Sequence, residues 1–374
     1  MLYNQDPMAP TLLVNFAKSF GGATVRIMDT VRGLASCRPY GVAVLTDSPL
    51  HNLLTEEGLT SYPLPYLRGD PRLAFSIARL IRQHGFTVID THNPQSALWG
   101  MIGLKLAGRG HLITTVHSSR DSTVSSAKTF LYDNVLRINK LAGSHFIAVS
   151  ESVNSYLLDL GIEQKKVTVI PNGIRLMPGS SDSPRHSFRN SVGWSRHHKV
   201  IVIVGRLEAI KGHRFFLDAL PTILLKNPQV RCLIAGTGRL ENKLKAQVKR
   251  LNLEGFVHFA GFRNDINTLL DESDIFCMPS LSEGLPFALL EACARHLPAL
   301  CTNVGGVGEF MVDGYSATLV EPGNPQSLAK GLFKLLEDEP RATAMAKQAY
   351  LMVQKNYSLD KVLLRTFETY DKIY

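Results

Sequence analysis

Residues Pro279 to Ala292 read P-S-L-S-E-G-L-P-F-A-L-L-E-A and set two glutamates, Glu283 and Glu291, eight residues apart around a Gly-Leu-Pro turn. Just upstream, Asp274 to Met278 (D-I-F-C-M) is the short apolar run of a buried strand. Downstream, Phe287 to Arg295 has helical spacing and good helix formers. The turn is thus a strand-to-helix loop, with one carboxylate at its mouth and the other about two turns into the helix. Free backbone N–H groups at a helix start attract anions, and Gly284 lets the main chain approach a ligand closely. A carboxylate facing such an anion site is suited to gripping hydroxyls. A sugar attached to a phosphate offers both.

Working outward, strand-like runs alternate with helical patterns along the whole chain. Leu12–Phe16, Gly41–Leu45, Thr87–Ile89, Leu112–Val116 and Phe146–Val149 form one set. Val200–Val204, Val230–Ile234, Val257–Phe259, Ile275–Met278 and Ala299–Cys301 form a second. Segments such as Arg72–His84, Phe215–Lys226 and Glu241–Leu251 carry apolar residues at helical intervals between them. This order predicts α/β structure with parallel sheets covered by helices on both faces. The stretch 177–199, rich in Pro, Ser, Gly and basic residues and without periodicity, reads as a connection between two Rossmann-like domains. The expected domains are 1–176 and 200–356, with ligands at the carboxyl ends of both sheets.

A length of 374 residues suits two domains rather than one core. No apolar run approaches the ~20 residues that span a bilayer. The start, M-L-Y-N-Q-D-P-M-A-P, lacks the basic and apolar regions of a signal peptide. The five cysteines include no C-x-x-C pair, and Cys232 and Cys277 lie in strand-like runs, which favours reduced thiols and a cytoplasmic location. The net charge of +9 is spread along the chain with no basic stripe or recognised motif, so no nucleic-acid partner is expected. It suits anionic phosphates or an anionic membrane face, although a generally basic proteome would give the same balance.

Further candidate residues follow the strands. In Gly205 to Gly212, G-R-L-E-A-I-K-G, Arg206 and Lys211 can converge on one anion, Arg as a fork of donors and Lys as a mobile point charge. Gly21 and Gly22 follow the first strand and open a helix, where backbone can come near a phosphate or an acceptor. His117, in T-V-H-S, and His92, in D-T-H-N, end neighbouring strands. Asn172 and Gly173, in P-N-G, form a turn, and Gly236 follows another strand in G-T-G. No D-x-D occurs, and neither Cys nor His shows zinc spacing, so no metal and no other cofactor are expected.

Together these motifs resemble glycosyltransferase family 4, the retaining, nucleotide-sugar-dependent enzymes of the GT-B fold. E-x7-E, G-R-L-x-x-x-K-G, the Gly-Gly loop, T-x-H-x, P-N-G, G-x-G and V-G-G-V-G-E occur in the family's order, from about Leu12 to Tyr374. Ser118 stands where many relatives carry Gly. The resemblance implies two Rossmann-like domains facing each other across a cleft, an acceptor-binding first and a nucleotide-sugar-binding second. It also implies a tail, 357–374, that crosses back onto the first domain.

By the same resemblance, Arg206 and Lys211 bind the donor diphosphate, Glu283 the sugar hydroxyls and Glu291 the ribose. The amides of Leu285, Phe287 and Ala288 beside Gly284 face sugar and phosphate, while His117 braces the sugar. Gly236 lies near the base, Asn172 shapes a turn or touches ligand, and His92 lines the acceptor side with Gly21 and Gly22. The implied activity is metal-independent, retaining transfer of a sugar to a hydroxyl on a glycan or glycolipid, in cell-surface polysaccharide or lipopolysaccharide biosynthesis. Peripheral contact with the cytoplasmic face of a membrane would suit it. The alternatives are another GT-B enzyme, an epimerase or a phosphorylase, and a catalytically silent sugar-nucleotide binding subunit.

Overall fold

The computed structural model describes residues 9–118, 126–176 and 187–374. Among these, one compact unit runs through Asn172 and takes back Leu359–Tyr374, and a second holds Gly173–Ser358. The first unit is built on β1 (Thr11–Asn15), β2 (Tyr40–Leu45), β3 (Ser61–Leu64), β4 (Val88–Thr91), β5 (His111–Val116), β6 (His145–Ala148) and β7 (Val167–Val169). All pair in parallel, in the order β3-β2-β1-β4-β5-β6-β7. The second is built on β8 (Lys199–Val204), β9 (Val230–Ala235), β10 (Val257–Gly261), β11 (Ile275–Met278), β12 (Ala299–Thr302) and β13 (Thr318–Val320). These too are parallel, in the order β10-β9-β8-β11-β12-β13.

Both sheets are doubly wound, which is why their central strands read as unbroken apolar runs. Leu12, Leu13 and Val14 of β1, and Val200 to Val202 of β8, are buried on both faces by helices. The strands that the sequence does not announce, β3, β7 and β13, are the short edge strands. Edge strands bury less and tolerate breakers, here Pro63 in β3. The helices Arg72–His84 and Glu241–Arg250 fall where the apolar spacing puts them.

The expected connection, 177–199, differs from what is found. Residues 177–186 lie outside the described residues, and 187–199 belong to the second unit. Ser187–Ser191 form a short helix whose first amides, Phe188 and Arg189, donate to the Glu272 carboxylate at 3.1 and 2.9 Å. Phe188 and Trp194 pack into the core with Val202 and Leu269. Two buried aromatics outweigh the polar residues around them, because each withdraws a large apolar surface from water.

The tail forms the helix Leu359–Ile373, whose Val362, Phe367 and Tyr370 enter the first unit's core beside Ile27 and Leu34. Full burial of such side chains stabilises the helix's seat by about 2 kcal/mol each. Arg38 reinforces it, pairing with Asp371 at 2.8 Å and lying over the Phe367 ring.

Candidate active site

In a doubly wound sheet, loops diverge where the strand order reverses, and ligands bind there at the carboxyl ends. In the second unit that point lies between β8 and β11, and it is flanked by the loops 205–212 and 279–286. The two loops are joined backbone to backbone. Leu281 N donates to Ile210 O at 2.7 Å, and Gly212, at φ +66°, lies so close that a Cβ would stand 1.9 Å from Pro279 O. Only glycine permits both the left-handed backbone and that approach. On the other side, Gly236 (φ +140°) would place a Cβ 2.0 Å from Gly205 O, and Leu207 N donates to Thr237 O at 2.9 Å. Gly236 thus serves the packing of loop on loop.

This joining brings together residues far apart in sequence. Lys211 Nζ donates to Glu283 Oε1 at 2.6 Å, and Ser280 Oγ donates to the same oxygen at 2.6 Å. Glu283 is buried and Lys211 is half-buried in its ion pair. Thr302 Oγ1, at the end of β12, donates to Ser280 O at 2.6 Å and holds that serine in place. Arg206 is exposed on the same loop as Lys211.

The helix Phe287–Ala294 begins directly after Gly284, Leu285 and Pro286, and no side chain caps it. Its first amides, including those of Phe287 and Ala288, have no acceptor within the helix. Glu291 is half-buried one turn into this helix, not two, because it lies only four residues beyond Phe287 and a turn takes 3.6. Leu285 is buried.

In the first unit the strand order reverses between β1 and β4. Gly21 and Gly22 follow β1 and open the helix Gly22–Ala35, which also lacks a side-chain cap. Asn15 and Asn93 join the two loops, Asn93 Nδ2 donating to Asn15 Oδ1 at 2.8 Å. His92 ends β4 and His117 ends β5, with His117 Nε2 3.1 Å from His92 Nδ1 and the rings stacked at 5.3 Å. His92 is buried and its Nε2 lies 3.3 Å from Asp90 Oδ2, an ion-pair distance without hydrogen-bond alignment. Burial, then His92 and Arg26, hold the His117 pKa well below its usual value. Asn172 is buried, and the preceding Pro171 O accepts from Arg26 Nη1 at 2.5 Å.

Sequence reasoning missed Ser280 and Thr302, whose only signal is a hydroxyl near the end of a strand. It also missed Asp90 and Tyr370 as partners of the histidines, since Tyr370 lies in the tail.

Two family models match the chain. The one described as Glycosyltransferase Family 4 covers residues 20–177, and the one described as Glycosyl transferases group 1 covers 184–352. The chain belongs to glycosyltransferase family 4. Among curated family 4 relatives, it is 28% identical over 276 residues to the UDP-Gal:alpha-D-GlcNAc-diphosphoundecaprenol alpha-1,3-galactosyltransferase of Escherichia coli. That match covers 72% of this chain and 71% of the relative. A phosphatidyl-myo-inositol mannosyltransferase of Mycolicibacterium smegmatis is 27% identical over 348 residues, or 88% of this chain and 86% of the relative. Among solved structures, Anabaena HepE in complex with UDP-glucose superposes with a TM-score of 0.85. At 22% identity, that match covers 97% of this chain and 99% of HepE and shows the GT-B fold. As a family 4 member with this fold, the protein is a glycosyltransferase.

Proposed function

We propose that this glycosyltransferase is retaining and metal-independent. It would move a sugar from a nucleoside diphosphate donor to a hydroxyl on a glycan or glycolipid acceptor, in cell-surface polysaccharide or lipopolysaccharide biosynthesis. The observation that carries this reading is the Lys211–Glu283 contact, 2.6 Å long, beside Arg206 and the uncapped helix start. A cation and a carboxylate that hold each other in the free protein can separate onto a ligand offering both diphosphate and hydroxyls. Lys211, Arg206 and the amides of Phe287 and Ala288 would take the diphosphate, and Glu283 the sugar hydroxyls.

Transfer is then mostly positioning and electrostatic stabilisation. The acceptor oxygen forms its bond to the anomeric carbon as the bond to the diphosphate breaks, on the same face. The electron pair leaves with the diphosphate, whose oxygen receives the acceptor proton. Glu291 would hold the ribose. His117 would contact a substrate hydroxyl, and the Gly21–Gly22 loop would serve the acceptor. A thermal-shift panel of nucleotide sugars tests the reading, since a ligand at 100 times its Kd adds about 2.7 kcal/mol of stability. One nucleoside diphosphate sugar should raise the Tm and be consumed when acceptor is added. A donor that binds but is never transferred would favour a silent binding subunit, and no stabilisation by any donor would contradict the proposal.

Metal independence rests on the basic pair standing at the expected diphosphate position. The transfer rate of metal-stripped protein should be unchanged by excess EDTA. A strict requirement for Mg²⁺ or Mn²⁺ would show that Arg206 and Lys211 do not suffice.

Peripheral membrane contact is supported by the helix Ser126–Leu141 of the first unit. Phe130, Leu131, Ile138 and Leu141 are exposed there beside exposed Arg137, with Leu141 83% exposed. An apolar and basic face of this kind suits an anionic lipid surface. No helix among the described residues is long and apolar enough to cross a membrane. The protein should sediment with vesicles containing phosphatidylglycerol, and Leu141→Asp combined with Phe130→Asp should abolish that.

A further inference from the structure

The first unit contains a buried polar chain that ends at His117. Tyr370 OH, from the C-terminal helix, donates to Asp90 Oδ2 at 2.5 Å, and Thr115 Oγ1 donates to Asp90 Oδ1 at 2.8 Å. The same Oδ2 lies 3.3 Å from His92 Nε2, and His92 Nδ1 lies 3.1 Å from His117 Nε2. We propose that Tyr370, Asp90 and His92 are positioning residues that fix His117 with its proton on Nε2 and its Nδ1 bare, as an acceptor for a substrate hydroxyl. The inference rests on His117 being the residue that contacts substrate. It moves His92 from ligand contact to orientation, in keeping with its burial beneath the His117 ring.

The direction of each bond follows from which groups are charged. Burial works to raise the Asp90 pKa, but His92, Tyr370 and Thr115 outweigh it and hold the carboxyl below its usual value. Asp90 is therefore an ionised, acceptor-only group at neutral pH. Burial, then the Asp90 charge, pushes the Tyr370 phenol well up, so Tyr370 keeps its proton and donates. Among the described residues, Arg26 also acts on Asp90, His117 and Tyr370, and Arg38 acts on Tyr370.

His92 Nε2 faces the ionised Asp90 carboxylate at 3.3 Å, so the charge favours the His92 proton on Nε2. With that one proton on His92 its Nδ1 is bare, and His117 supplies the proton between the rings from its own Nε2. His117, neutral by burial, is left with a bare Nδ1. A second proton on His92 would instead be donated from Nδ1 and leave His117 protonated at Nδ1. A ring nitrogen's protonation is thus set two residues away, by the carboxylate.

Asp90→Asn tests this because it keeps the shape and reverses the polarity. The Asn amide donates to His92 Nε2, so His92 carries its proton on Nδ1 and donates to His117 Nε2. His117 then bears Nδ1–H and presents a donor instead of an acceptor. Nitrogen-15 NMR of the free protein should show His117 protonated at Nε2 in the wild type and at Nδ1 in Asp90→Asn. Transfer should fall on the order of 100-fold, while binding of the donor nucleotide, proposed above for the second unit, stays unchanged. Tyr370→Phe leaves the carboxylate in place and should retain the wild-type tautomer with a loss below about tenfold.

A wild-type His117 protonated at Nδ1, or an Asn variant with the wild-type tautomer, would overturn the relay. The wild-type spectrum and Tyr370→Phe carry the test even if Asp90→Asn fails to fold. A tautomer that switches without any loss of transfer would instead remove His117 from substrate contact and leave the relay standing as structure.

Discussion

Lys211→Ala is expected to lower turnover by on the order of 100- to 1,000-fold. Two losses coincide. On the proposed reading the departing diphosphate lacks a cation placed where charge develops, and Glu283 loses the partner 2.6 Å from its Oε1 while keeping the Ser280 hydroxyl. A buried carboxylate stripped of its cation is costly and free to move, so the sugar would be held in the wrong place as well. Arg206→Ala, at a residue exposed and without such a contact among the described residues, should cost on the order of 100-fold through the diphosphate alone. Because Lys211 and Glu283 act as one unit, Lys211→Ala combined with Glu283→Gln should lose much less than the product of the two single effects. Steady-state kinetics on the four proteins checks this. Near-normal turnover in Lys211→Ala would remove the loop from the active site, and strict multiplicativity would mean that the contact has no part in catalysis.

Gly212→Ala should be as damaging, by a different route. The added methyl would stand 1.9 Å from Pro279 O, against backbone rather than a flexible side chain, at a φ of +66°. The left-handed conformation alone costs about 1–2 kcal/mol for a residue with a Cβ. The clash must then push loop 205–212 away from loop 279–286 and break the Leu281–Ile210 bond. We expect about 3 kcal/mol or more of destabilisation, a lowered Tm and loss of donor binding even where the protein remains folded. Chemical denaturation together with calorimetric titration of the donor found by the thermal-shift panel would read both. Wild-type stability and donor affinity in Gly212→Ala would show that the two loops are not held together as described.

The parallel sheets were legible because their central strands are buried on both faces and so carry no alternation. Val200 to Val204 and Leu12 to Val14 announce themselves in this way. Strands β3, β7 and β13 did not, since an edge strand of three or four residues buries too little to leave a pattern. The stretch 187–199 looked like a connection because its composition is polar. What anchors it, Phe188 and Trp194 in the core and Glu272 on the helix amides, depends on residues distant in the chain.

The candidate residues fared similarly. Arg206, Lys211, Glu283 and the helix start at Phe287 could be named from local spacing after strands, and Lys211 and Glu283 do meet. Glu291 was placed a turn too deep, since only four residues separate it from Phe287 and a turn takes 3.6. Glycines 212 and 236 were visible as glycines, but what demands them, the carbonyls of Pro279 and Gly205, is visible only in three dimensions. The Tyr370–Asp90–His92–His117 chain was least legible, because its first member joins the others only when the tail returns to the first unit.

Retention at the anomeric centre is the central claim about mechanism, and proton NMR of the product tests it most directly. With Glu283 gripping the sugar beside the leaving diphosphate, an α-linked donor should give an α-linked product. Glu283→Gln should slow transfer without trapping a glycosyl-enzyme in the mass spectrum. A β-linked product from an α-linked donor would contradict the proposed mechanism.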